Sequence, residues 1–202
     1  MSLRRILFFI GLAGFGWWLF GPAPSARWSG RAAPNEPRQS EAGLPATWKH
    51  GEYSFTPLAR FEAQTVVLSR CNYSGGHDGE LCPTDFALGW GAMSDAAVIN
   101  AIKVSQDMRW FFYRWRGELP VPAEEVLHAA ANMHLIPAND DVRRALKAVK
   151  RHDLLKFSGY LIEAQHADGW RWRSSLSRTD DGGGACEVVW VDKVERATIP
   201  AR

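Results

Sequence analysis

No motif in this 202-residue chain fixes a reaction. Its serines sit in neither the Gly-x-Ser-x-Gly elbow nor the Ser-x-x-Lys pattern that activates a hydroxyl. Charge of one sign is also scarce: 24 Lys and Arg stand against 22 Asp and Glu. Six of those cations and two of the anions lie in residues 1–50, so the remainder is close to neutral and gives no electrostatic reason to expect nucleic acid as a partner. There are only three cysteines. Cys71 and Cys82 bracket a short glycine-rich loop, residues 72–81, which an oxidising compartment is expected to close as a disulfide. As metal ligands with His77 they match no zinc spacing and lack a fourth donor, so the sequence calls for no metal and no cofactor. Cys186, beside Val188, Val189 and Trp190, reads as a buried inert thiol.

What is present begins at the N-terminus. Arg4 and Arg5 lead into an unbroken stretch of apolar residues and glycines, 6–20, with Trp17, Trp18 and Phe20 at its far end. A basic start before an apolar run is an export or anchoring signal, and indoles favour the membrane–water interface. Residues 1–21 therefore read as a signal-anchor helix that spans once, with cleavage near Ala23-Pro24-Ser25-Ala26 as the alternative. The expected location is the inner membrane of a bacterium with the C-terminal domain in the periplasm, although Arg27 and Arg31 oppose that orientation. Residues 22–50, rich in Pro, Gly, Ala, Ser and Arg without helical or strand period, read as a flexible linker; 51–196 read as one globular domain and 197–202 as a tail.

Within the domain the pattern predicts an α+β fold: a small curved antiparallel sheet or partly closed barrel with two to four helices. Val- and Thr-rich residues 61–70 predict a strand, with Pro57 outside it. A helical turn is expected over 83–88, and Ser94 as the cap of a helix carrying Ala97, Val98, Ala101 and Ile102. Aromatic residues 108–115 predict a strand, Pro122 opens a helix through 131, and Asn139 caps a helix with Val142, Ala145, Leu146 and Val149 on one stripe. Strands are predicted over 154–164, 169–176 and 185–194, the first two joined through Ala167-Asp168-Gly169.

Three stretches look too specific for packing alone: PTDFALGWGAMSD at 83–95, ANMHLIP at 131–137 and WRSSLSRTDDGGGACE at 172–187. With the apolar N-terminus, they resemble a set of uncharacterised bacterial membrane-associated or exported proteins over residues 53–194. The resemblance implies a shared fold and brings no activity or catalytic set. From the residues themselves, His134 is the candidate acid–base group, with Asp85, Asp95, Asp180 or Asp181 to orient it and Ser94, Ser174 or Ser175 as nucleophile; His134, Asp95 and Ser175 make the leading hydrolase set. Trp170 and Trp172 share one face of a strand, and with Arg173 and Arg178 they are candidates for binding an oligosaccharide or single strand. The favoured reading remains a membrane-tethered binding or assembly module with an envelope protein as partner.

Overall fold

A computed structural model of the full chain describes residues 25–180 and 182–201. The signal-anchor expectation for 1–21 lies outside them, and no described helix is long and apolar enough to cross a membrane.

The expected α+β class is overturned. The chain is mostly β, 47% strand against 16% helix, built on one mixed sheet of eight strands. In order come β1 (Arg38–Ser40), β2 (Trp48–His50), β3 (Tyr53–Asn72), α1 (Gly76–Leu81), β4 (Thr84–Gly89), a 3₁₀ turn (Gly91–Ser94) and α2 (Ala96–Ala101). Then follow β5 (Ile102–Asp107), β6 (Trp110–Trp115), α3 (Glu124–Leu127), β7 (Ala130–Pro137), α4 (Asp140–Lys147), β8 (Asp153–His166), β9 (Arg171–Arg173) and β10 (Glu187–Thr198).

The pairings run in a circuit. Long β3 pairs antiparallel with β8 over residues 53–66 and with β4 over 66–72. β4 then pairs antiparallel with β7, β7 parallel with β10, and β10 antiparallel with β8. Pro57 lies inside β3 because the register slips between Pro57 and Ala59, an irregularity where a missing amide hydrogen is tolerated. The segment 83–88, expected as a helical turn, is β4, and most of 122–131 is not helix; its end enters β7. Both strands are buried on two faces, so their sequences run apolar without alternation and lose the strand period. Phe86, Leu88, Met133, Leu135, Val189 and Val191 enter one core cluster, onto which α4 lays Val142 and Leu146. Asn139 caps α4, its side chain accepting from the Val142 amide at 3.0 Å.

Residues 25–50, expected as a flexible linker, are strapped to the domain. β1 and β2 pair with β3, Ala26 and Ala33 are buried, and the Ala26 amide donates to Asn100 Oδ1 at 2.9 Å. Backbone pairing to a strand edge needs no apolar period, which is why composition concealed it.

β5 and β6 form a hairpin of their own, apart from the main sheet. Its two-residue turn is Met108 and Arg109, at φ +47° and +63°. Neither is a glycine, although the left-handed region costs an ordinary side chain roughly 1–2 kcal/mol. Arg109 has a reason to be held there.

Candidate functional site

The reason lies at the end of the sheet where the loop between β3 and β4 folds over as α1. Asp78 from α1 and Asp85 from β4 both meet the Arg109 guanidinium, which reaches Asp85 Oδ1 at 2.7 Å and donates to the Cys82 carbonyl at 3.1 Å. The same cation lies over the Tyr73 ring at 4.5 Å and the Trp172 ring at 5.3 Å. Its backbone is fixed as well: the Arg109 amide donates to Tyr73 Oη at 2.9 Å, and Asn132 Nδ2 donates to the Arg109 carbonyl at 2.8 Å. A carboxylate as buried as Asp85 needs such a partner, so ion pairing outweighs the strain of the turn.

Asp85 sits directly across the β4–β7 ladder from His134, so strand register puts both side chains on one face. His134 Nδ1 is 2.9 Å from Asp85 Oδ1, yet the two are not aligned for a hydrogen bond, and Asp85 Oδ2 also lacks one. Cys82 Sγ has three acceptors within reach of its one hydrogen: Thr84 O at 3.2 Å, Asp85 Oδ1 at 3.5 Å and Leu135 O at 3.6 Å. Burial, and then the Asp85 charge, push the Cys82 thiol well up, which keeps it protonated and unreactive. Burial likewise lifts Cys186 to about 11. Trp172 covers the His134 ring at 4.6 Å.

A second cluster lies beyond Trp170. His77 on α1 and His166 at the end of β8 stand with ring centres 4.2 Å apart, and both address Asp168 in the β8–β9 turn. His77 Nε2 is 2.8 Å from Asp168 Oδ2, and His166 Nδ1 is 3.0 Å from Asp168 Oδ1. Behind His77, Nδ1 meets Tyr53 Oη at 2.9 Å, and Tyr53 donates to Glu80 Oε2 at 2.7 Å. Behind His166, Nε2 faces Glu52 Oε2 at 3.5 Å. Burial, then the Glu80 hydrogen bond, raise the Tyr53 phenol so that it stays protonated. The Trp170 amide, followed by the His166 and His77 contacts, holds Asp168 far below the usual carboxylate range, and Asp168 in turn raises His166.

The expected hydrolase set is not brought together. His134 takes Asp85 as its carboxylate neighbour, Asp95 caps α2 by accepting from the Ala97 amide at 2.9 Å, and Ser175 donates to Asp180 Oδ2 at 2.6 Å. Ser94 ties down the N-terminal strap through Ala33. Trp170 and Trp172 do share a face, but they are half-buried, edge to face at 6.0 Å, with His77 against one and His134 against the other. Arg173 pairs outward with Glu163 at 2.6 Å, while Arg178 turns inward to Glu187 at 3.1 Å, so the four do not form one platform. Cys71 and Cys82 are free thiols; the expected disulfide is not formed, because Cys82 points down among Asp85 and Leu135. A surface groove of about 820 Å³ between Glu62 and Lys193 contains none of these residues.

No family model, curated protein or solved structure matches this chain. Function must therefore be read from the geometry. The residues that sequence reasoning missed are Arg109, Tyr53, His166 and Asp168. Asp168 had the look of a turn residue, and Arg109 of one more cation in an aromatic strand.

Proposed function

We propose that the protein is a membrane-tethered binding or assembly module of the cell envelope, and that the β5–β6 hairpin is the element that grips its protein partner. The observation that carries this reading is the outer face of that hairpin. Met108, Trp110 and Phe112 are 79%, 44% and 52% exposed, with Leu127 beside them, whereas Phe111, Tyr113 and Trp115 alternate inward onto the core. Clustered aromatic and Met side chains flanked by Lys103 and Arg114 have the composition of an interface core with a polar rim. The face is also presented stiffly. Arg109 anchors the turn, Gln106 Nε2 donates to Asn132 Oδ1 at 2.7 Å, and Tyr113 stacks on Trp115 at 6.2 Å. A surface ordered before it binds has less side-chain freedom to lose.

Photo-crosslinking tests it. A benzophenone side chain at position 112 of the intact membrane-bound chain should trap one reproducible envelope protein, and Trp110→Ser should abolish that product without changing the melting temperature. An unchanged crosslink in Trp110→Ser would sink the reading. If the label instead reaches only lipid, the hairpin is a membrane contact and the protein-partner assignment falls.

A further inference from the structure

We propose that His77, His166 and Asp168 form a binding site for one divalent transition-metal ion, zinc or a close analogue, independently of what the hairpin binds. Tyr53 has one hydroxyl hydrogen and donates it to Glu80, so at 2.9 Å the His77 Nδ1 must be the donor. A neutral His77 then turns a bare Nε2 lone pair toward a carboxylate oxygen only 2.8 Å away. His166 repeats the pattern. Its Nδ1 faces the Asp168 amide as an acceptor at 3.3 Å and stands 3.0 Å from the other oxygen of the same carboxylate. Two ring nitrogens and a carboxylate thus face one another at ligand distances.

Without a metal, His77 could donate to Asp168 only as a cation, 4.2 Å in ring separation from His166, and a proton on His166 Nδ1 would displace the Asp168 amide. A single divalent ion brings positive charge to both rings and the carboxylate at one point and replaces that long amide contact with a ligand bond. The spacing suits it. Metal–ligand bonds of about 2.0–2.1 Å separate neighbouring ligand atoms by roughly 3 Å, and all three donor atoms here lie within 4.8 Å of one another. Two imidazoles and a carboxylate favour Zn²⁺, Co²⁺ or Ni²⁺ over Ca²⁺ or Mg²⁺.

The surroundings match those of a ligand set. Tyr53 with Glu80, and Glu52, engage the far nitrogen of each ring, and the Trp170 amide donates to Asp168 Oδ1 at 2.9 Å. Such outer partners fix tautomer and orientation. The donors come from three separate segments, α1, the end of β8 and the β8–β9 turn, and Asp168 is 53% exposed, so coordination positions stay open to water or a ligand. The inner group of Cys82, Asp85 and His134 is a poorer candidate, since the Arg109 guanidinium already occupies the Asp85 oxygen that faces them.

The test uses the full-length chain, without a histidine tag, in detergent and stripped with chelator, titrated with Co²⁺ alone. One Co²⁺ should bind per chain, with visible d–d bands, no thiolate charge-transfer band, and displacement by Zn²⁺. Asp168→Asn, at an exposed position where circular dichroism should stay unchanged, should weaken binding by about 100-fold, and Tyr53→Phe by about tenfold. His166→Gln should match Asp168→Asn, which stands alone if the histidine variant does not fold. Absence of binding, equal binding by Asp168→Asn, or a thiolate band removed by Cys82→Ser would each overturn the assignment.

Discussion

Glu187 opens β10 with its side chain almost wholly buried, Oε1 at 3.1 Å from Arg178 Nε and Oε2 without a hydrogen bond. Burial is the dominant influence and lifts its carboxyl from 4.5 to about 7 against the pull of Arg178. Between those two values the folded chain holds a proton that the unfolded chain has released. Stability contributed by this group is therefore complete below pH 4.5 and declines as the pH climbs to 7, by about 3 kcal/mol at 1.36 kcal/mol per pH unit. Glu187→Gln keeps an oxygen for Arg178 and removes the ionisation. Urea unfolding followed by tryptophan fluorescence at pH 5, 6, 7 and 8 should show the variant gaining on the native chain across this window and levelling off above it. His152, lowered by burial, and His166, raised by Asp168, also titrate nearby, but both are present in the two proteins and cancel in the difference. A stability difference that stays flat with pH would refute the reasoning.

Two further outcomes follow from the packing. Arg109→Met leaves the Asp85 carboxylate buried beside His134 without its cation, and chemical denaturation should register a loss of about 3–5 kcal/mol; a loss under about 1 kcal/mol would show that the strained turn is not held by that pair. Gly159→Ala would put a Cβ 1.8 Å from the Trp190 carbonyl in the β8–β10 pairing, so thermal melts should show loss of the cooperative fold, whereas Gly183→Ala, with open space around it, should change stability by less than about 0.5 kcal/mol.

The sequence made single elements legible where one face was wet. α4 with its Asn139 cap and the β8–β9 turn at Asp168 announced themselves through alternation, capping and turn chemistry. Elements buried on both faces do not: the runs around Phe86 and Met133 carry no period, so β4 reads as a helical turn and the start of β7 reads as the end of a helix. The site was legible only in part. His134 and Asp85 could be suspected together, but their pairing depends on the β4–β7 register, which no local signal encodes. The outer cluster draws Tyr53, His77, His166 and Asp168 from segments up to about a hundred residues apart, and only the circuit of strand pairings brings them together.

The loop between Cys71 and Cys82 concentrates what the structure changes. Its cysteines are free in this structure, and ion pairs tie it down, with Asp78 on Arg109 on one side and His77 on Asp168 on the other. The proposed envelope location rests on the N-terminal apolar segment of the sequence. In exchange, α1 acquires a role. Its successive residues His77 and Asp78 join the outer cluster to the hairpin turn, whose next residue after Arg109 is the exposed Trp110. An ion at the outer cluster would therefore brace the same short helix that holds the hairpin's anchor, which ties the proposed metal site mechanically to the proposed gripping surface although neither depends on the other for its chemistry.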